Sequence, residues 1–127
     1  MDYLLDTNFV INYFKGIYEG NARTFTDSII NETTFVSVIT RIELLGWQFL
    51  SHEDQLLIND FISDSIVFSL EEPIIQQTIA LRKTHKLKLP DAIIAATAVT
   101  HNLQLLTHNT KDFENIDGLT IIDAGSL

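Results

Sequence analysis

Five short runs constrain the fold more than any other feature of the chain. They are Tyr3-Leu4-Leu5, Phe35-Val36-Ser37, Ile66-Val67-Phe68, Gln104-Leu105-Leu106 and Thr120-Ile121-Ile122. Each is nearly all apolar, and the β-branched and aromatic ones favour extended backbone. A strand with no polar alternation cannot turn one face to water. Such strands, alternating with helical segments, form a parallel sheet covered on both faces. Ligands bind such sheets beyond the carboxyl ends of the strands. Asp6 and Thr107 stand directly at two of those ends.

The segments between the strands read as helices. Phe9, Val10, Tyr13 and Phe14 have helical spacing over about Thr7 to Lys15, stopping near Gly16. These aromatics are expected in the core or at a dimer face rather than stacked on bases. Further helices fit about Ala22 to Asn31, Val38 to Leu50 and Glu53 to Ser63. Glu71 and Glu72 before Pro73 open another, which closes on the basic run from Arg82 to Lys86. Pro90 opens the next, whose small residues Ala92, Ala95, Ala96 and Ala98 allow close approach to a sheet.

At 127 residues and 46% hydrophobic content, one domain spanning 1–127 with a genuine core is expected. Zero cysteines exclude disulfides, zinc–thiolate sites and thiol nucleophiles. No signal-peptide pattern opens at Met1, and no apolar run approaches the ~18 residues of a membrane span. A cytoplasmic protein is the expectation. The formal charge of −9, from 17 acids against 8 Lys and Arg, weighs against a simple nucleic-acid binder. It leaves two alternatives: acids whose charge bound cations offset, or a surface acidic for solubility or for a basic partner.

Four acids lie where an α/β fold brings side chains to one rim: Asp6, Glu43, Asp91 and Asp112. Each has a plainer reading. Asp6 can cap the helix after it. Glu43 can close a capping box with Thr40 if the helix starts at Arg41. If that helix starts at Val38 with Ser37 as cap, the arrangement favoured here, Glu43 lies in the second turn on the face of Ile39 and Trp47, where it needs a partner. Asp91 suits the first turn of a helix, and Asp112 suits a polar loop. Taken together, however, they supply the oxygen donors that Mg²⁺ or Mn²⁺ requires. Two carboxylates ~4 Å apart at an effective dielectric of ~20 repel by about 4 kcal/mol. A hard cation offsets this. Hydrolysis by an ion-activated water also needs no side-chain nucleophile.

Four blocks of this sequence resemble the PIN-domain family. They are Leu5-Asp6-Thr7-Asn8, the segment from Ser37 to Glu43, the segment from Leu89 to Ala98, and the segment from Leu105 to Phe113. They occur in family order across the whole chain, at the length of the VapC-like toxins of type II toxin–antitoxin systems. The resemblance implies a three-layer α/β/α PIN-like fold with a four- or five-stranded parallel sheet. It implies one or two Mg²⁺ or Mn²⁺ ions, endoribonuclease activity, a homodimer and a cognate antitoxin. By position, Asp6, Glu43 and Asp91 match the regular carboxylates. Asp112 ranks as the fourth, ahead of Asn109, with Asn8 and Thr107 as supporting polar groups. Glu43 is either a ligand or the group that orients the attacking water.

Cations for RNA are expected in Arg82, Lys83, Lys86 and Lys88, with Arg41 and Lys111 adding to them. The first of these also complement a helix dipole. His85, His101 and His108 lack paired ligand spacing and are expected in surface roles. An aspartyl-phosphate enzyme is disfavoured, because Asn8 stands where an Asp partner of Asp6 would be. A non-catalytic PIN-like module that binds RNA or protein is the alternative. Retention of all four acids speaks against it.

Overall fold

The computed structural model describes residues 2–48 and 50–127. Strand β1 (Tyr3–Leu5) leads into α1 (Thr7–Phe14) and α2 (Gly20–Ile30). Strand β2 (Phe35–Ser37) runs into α3 (Val38–Leu45) and α4 (His52–Asp64), and β3 (Ile66–Phe68) into α5 (Glu72–Thr84) and α6 (Leu89–Thr100). Strand β4 (Gln104–Leu106), a 3-10 turn at Thr110–Phe113, β5 (Ile121–Ile122) and a 3-10 turn at Ala124–Ser126 complete the order. All five strands pair in parallel, in the order β3-β2-β1-β4-β5. The parallel sheet expected from the apolar runs is present, with five strands.

Successive residues of a strand point to opposite faces. Leu4 and Leu105 enter one core with Ile74, Ile93, Ile94 and Phe113, from the α5–α6 side. Leu5, Leu106 and Val36 enter the other with Phe9, Val10, Leu44 and Phe61, from the α1–α4 side. Three layers result. The small residues of α6 do what their size permits: Ala92, Ala95, Ala96 and Ala98 are all 0% exposed.

The order places β1 at the switch point. From it the chain builds outward through β2 and β3 on one side, and through β4 and β5 on the other. The carboxyl ends of β1 and β4 are neighbours there, in the register Leu5 opposite Leu106. That crevice is where such sheets place ligands.

Helix α3 starts at Val38 with the Ser37 hydroxyl accepting from the Ile39 amide at 3.1 Å, which rules out the capping box of Thr40 with Glu43. Its end differs from the expected Leu50. The helix stops at Leu45, and Gly46 caps it through its amide to the Ile42 carbonyl at 2.9 Å. A Cβ at Gly46 would lie 2.9 Å from that same carbonyl oxygen, so the cap is closed to side chains. The expected extension also took in Phe49, which lies outside the described residues. The loop at Asp112 is not irregular but a 3-10 turn.

Close approach of α6 to the sheet makes Ala96 intolerant of bulk. Ala96→Leu is expected to destabilise the protein by about 1–3 kcal/mol through overpacking. Urea denaturation reads this directly, and an unchanged midpoint would show that the helix has room to move.

Candidate functional site

Asp6 follows β1 and continues its ladder, since its amide donates to the Leu106 carbonyl at 3.0 Å. Thr107 continues β4 in the same way, with its amide on the Ile122 carbonyl at 3.0 Å. The two ladders therefore fix the two side chains side by side. The Thr107 hydroxyl donates to Asp6 Oδ2 at 2.7 Å, and the Thr7 amide donates to Oδ1 at 2.8 Å. Asp6 is thus the cap of α1 and a member of a polar cluster at once. Each carboxylate oxygen has two lone-pair sites, so each retains one for a further partner.

Asp6 is only 4% exposed. Burial pushes its carboxyl up to about 6, against the lowering effect of the Thr107 and Thr7 hydrogen bonds; Asp91 and Glu43 raise it further. Asp91, in the first turn of α6, is also raised, chiefly by desolvation, then by Asp112 and Glu43, with Lys88 opposing. The four acids thus share one electrostatic neighbourhood, drawn from the ends of β1 and β4 and from α3 and α6. Glu43 joins it through Thr7, whose Oγ1 donates to Glu43 Oε1 at 2.7 Å and lies 3.1 Å from Thr40 Oγ1. Its side chain is exposed rather than pressed on an apolar face. Thr7 and Thr40 are the members that sequence reasoning did not assign; their only signal was polarity beside Asp6 and Glu43.

Asn8 and Asn109 shape the β4 side. Asn8 Oδ1 accepts from the His108 amide at 3.1 Å and lies 3.4 Å from Thr107 Oγ1. The Asn109 amide donates to Thr107 Oγ1 at 3.0 Å, while the residue itself is exposed. Asp112 and Lys111 are exposed on the 3-10 turn, and Arg41 is exposed on α3.

Arg82 and Lys83 end α5, Lys88 caps α6, and Lys86 lies exposed between them; an open basin is lined by Arg82, His85, Lys86, Leu87 and Lys88. Among the described residues, the ion pairs engage Arg23 with Asp27 and His108 with Asp123, and none engages this basic run.

His85, His101 and His108 are partly exposed, and each also has a partner from a distant part of the chain. His101 stacks on Phe68 with ring centroids 4.0 Å apart, and its Nε2 is buried without a partner. His85 Nε2 contacts the Asn115 carbonyl at 2.9 Å, and His108 is wedged between Tyr18 and Asp123. The residues facing each ring are far away in sequence, so spacing carried no sign of them. As the side chains stand, no three acidic or imidazole groups among the described residues are gathered closely enough to ligate one ion. The donor set nevertheless fits a hard divalent cation: all oxygen, strongly negative, with one carboxyl desolvated. Glu43 and Asp112 are exposed and can swing inward.

This geometry defines a parallel α/β protein with an acidic site at the switch point of its sheet. The PIN domain family model matches residues 3–119, and the chain belongs to that family. Among solved structures, it is similar to a toxin–antitoxin complex from Klebsiella pneumoniae, with 31% identity, TM-score 0.76, and coverage of 97% of this chain and 98% of that one. It is also similar to VapBC-1 from nontypeable Haemophilus influenzae, with 27% identity, TM-score 0.76 and 98% coverage of both chains. Ribonuclease VapC1 of Rickettsia felis is 53% identical over 36 residues, which span 28% of this chain and 27% of that protein.

The raised Asp6 value sets a sign for pH dependence. A carboxyl whose folded value lies above its unfolded 3.8 stabilises the fold fully at low pH, and loses that contribution as pH rises through about 6. Asp6→Asn removes the charge but can keep the contacts. Its amide nitrogen can donate to Thr107 Oγ1, freeing that hydroxyl for Asn8. The metal-free variant is expected to be more stable than wild type at pH 7 by about 1–3 kcal/mol, the difference vanishing near pH 4. Thermal melts across that range test it, and a variant less stable at pH 7 would mean that the charge is structural.

Proposed function

We propose that this protein is a divalent-metal-dependent endoribonuclease, the toxin of a toxin–antitoxin pair, built as one PIN domain over residues 1–127 and acting in the cytoplasm. The observation that carries the reading is Asp6: a carboxylate buried at the switch point, with Asp91 and Glu43 raising its pKa and no cationic side chain among the causes of its shift. The names of the relatives support it, since one is a ribonuclease and the solved structures are toxin–antitoxin complexes.

Asp6, Asp91 and Asp112 would hold one or two Mg²⁺ or Mn²⁺ ions, with Glu43 as a further ligand or as the group that orients the attacking water. Bound there, such an ion lowers the pKa of water and stabilises charge on a phosphodiester and its leaving oxygen. The chain's own residues do the positioning. Thr107 and the Thr7 amide fix the Asp6 carboxylate in one orientation. Thr7 also holds Glu43 through Oε1, leaving Oε2 either to join the ligands or to orient the attacking water. Asn8 and Asn109 hold Thr107 from either side, and Asn109 ranks behind Asp112 as a ligand.

RNA has to approach a chain of charge −9. Arg82, Lys83, Lys86 and Lys88 would receive its phosphates beside Asp91, with Arg41 and Lys111 at the flanks. Antitoxin binding and homodimer formation belong to the same reading. Support comes from apolar residues left exposed on the helical layer, Ile42 and Leu45 on α3 and Leu56 and Leu57 on α4. Among the described residues, no helix is long and apolar enough to cross a membrane.

A non-catalytic module is the reading favoured by the two hydrogen bonds already made by Asp6. Asp91→Asn separates the two, because Asp91 makes no hydrogen bond comparable to those of Asp6. The variant is expected to fold, to lose Mn²⁺-dependent cleavage of RNA, and to lose the rise in melting temperature that Mn²⁺ gives the wild type. If Mn²⁺ leaves the wild-type melt unmoved and no RNA is cut, the acids are structural. A second test concerns the basic run. Removing Lys86 and Lys88 together should flatten the salt dependence of RNA binding by about 0.7 in log–log slope for each phosphate no longer neutralised. An unaltered slope would place the RNA elsewhere.

A further inference from the structure

His108 occupies a place that the acidic site does not explain. Its ring stacks on Tyr18 with centroids 5.3 Å apart and 15° between planes, and its Nε2 is hydrogen-bonded to the Tyr18 hydroxyl. On the other side, Nδ1 lies 3.7 Å from Asp123 Oδ1. Tyr18 is itself only 4% exposed and packs on Phe9. Asp123 Oδ1 is fixed by the Gly125 amide at 3.0 Å. A Cβ on Gly125 would stand 3.2 Å from His108 Cε1, so glycine lets the final turn close on the ring. With Nδ1 facing Asp123, Nε2 is left to accept from the tyrosine, so the ring is held between a hydrogen bond on one side and a carboxylate on the other.

The main chain of His108 is held as firmly. Its amide donates to Asn8 Oδ1, one residue after Thr107 and four before Asp112. One residue therefore joins the N-terminus of α1, the α1–α2 loop and the end of β5 to the loop that carries half of the site.

We infer that His108 is a positioning residue: the Tyr18–His108–Asp123 clamp sets where the turn beyond it, with Asp112, stands relative to Asp6. The inference rests on the metal-dependent reading of the site. A ligand set carried on four separate elements is only as well formed as the loop that brings the last of them in. Partners of this kind, which touch neither metal nor substrate, commonly govern affinity at metal sites.

The test uses the full chain with Tyr18→Phe, which removes the hydroxyl, and Asp123→Asn, which removes the charge; both leave the packing in place. His108→Ala and His108→Gln form the second pair. In metal-free protein, amide exchange at His108 and Asn109 is expected to quicken about tenfold in Tyr18→Phe, while the strands keep their protection. Affinity for Mn²⁺ alone, measured by calorimetry, and kcat on an RNA oligonucleotide are each expected to fall about tenfold, with KM for RNA unmoved. His108→Gln should recover part of what His108→Ala loses. Unchanged exchange, Mn²⁺ affinity and kcat in both single-partner variants would overturn the inference, even if melting temperature drops. A wild type that neither binds Mn²⁺ nor cuts RNA would overturn the underlying reading and this inference with it.

Discussion

A carboxylate taken out of water at the end of a central strand is costly unless hydrogen bonds and charge compensate it. Asp6 is such a group, and the rest of the site is organised around it. The Thr107 hydroxyl reaches Oδ2 only because β4 lies directly beside β1, with Leu5 opposite Leu106. The Thr7 amide reaches Oδ1 only because α1 starts at once after the strand. Thr7 then passes its hydroxyl to Glu43, which is possible because α3 also starts without a linker after β2. Strand order, the absence of connecting loops and the placing of two threonines are thus one arrangement, which holds an anion where water is scarce.

Much of this could be read in the sequence, because periodicity is a local signal. The strands at Tyr3–Leu5, Phe35–Ser37, Ile66–Phe68 and Gln104–Leu106 stand at the stated runs, and α3 begins at Val38 as its favoured register required. The end of α3 could not be read, since Trp47 and Leu50 continue the apolar pattern past Gly46. The helix ends at Gly46, whose amide still reaches the Ile42 carbonyl while its backbone (φ −88, ψ 0) leaves the helical path, a geometry that composition does not display. The strand order was also beyond reach. Five similar apolar runs carry nothing that says β4 rather than β2 should receive the Asp6 carboxylate on its far side.

The acids show a subtler division. Sequence alone set the helix cap and the site member against each other for Asp6; the structure shows the cap on one carboxylate oxygen and the Thr107 hydroxyl on the other. For Glu43 the two alternatives were a capping box and a carboxylate pressed on an apolar face; the observed side chain is exposed and tied to Thr7. A helix cap and a polar cluster need not compete for one residue when its two carboxylate oxygens meet different partners. The ring contacts of the histidines were not legible in the same way. His101 against Phe68 and His108 against Tyr18 depend on partners 33 and 90 residues away, and only the folded chain brings those rings together.

The charge distribution follows from the same constraint. Of the 8 Lys and Arg in the chain, Arg82, Lys83, Lys86 and Lys88 fall at the junction of α5 and α6, where no ion pair among the described residues neutralises them. Lys88 opposes the rise in the Asp91 pKa, so this cationic segment and the acidic cluster act on one another. A protein of charge −9 repels a polyanion at distances beyond a Debye length only weakly, because salt screens it, whereas within ~8 Å the local sign decides. Concentrating free cations next to Asp91 gives a phosphate-bearing strand one approach on which attraction survives at short range. An even scatter of the same eight charges over the surface would not do so. An acidic total is therefore compatible with a local cationic surface.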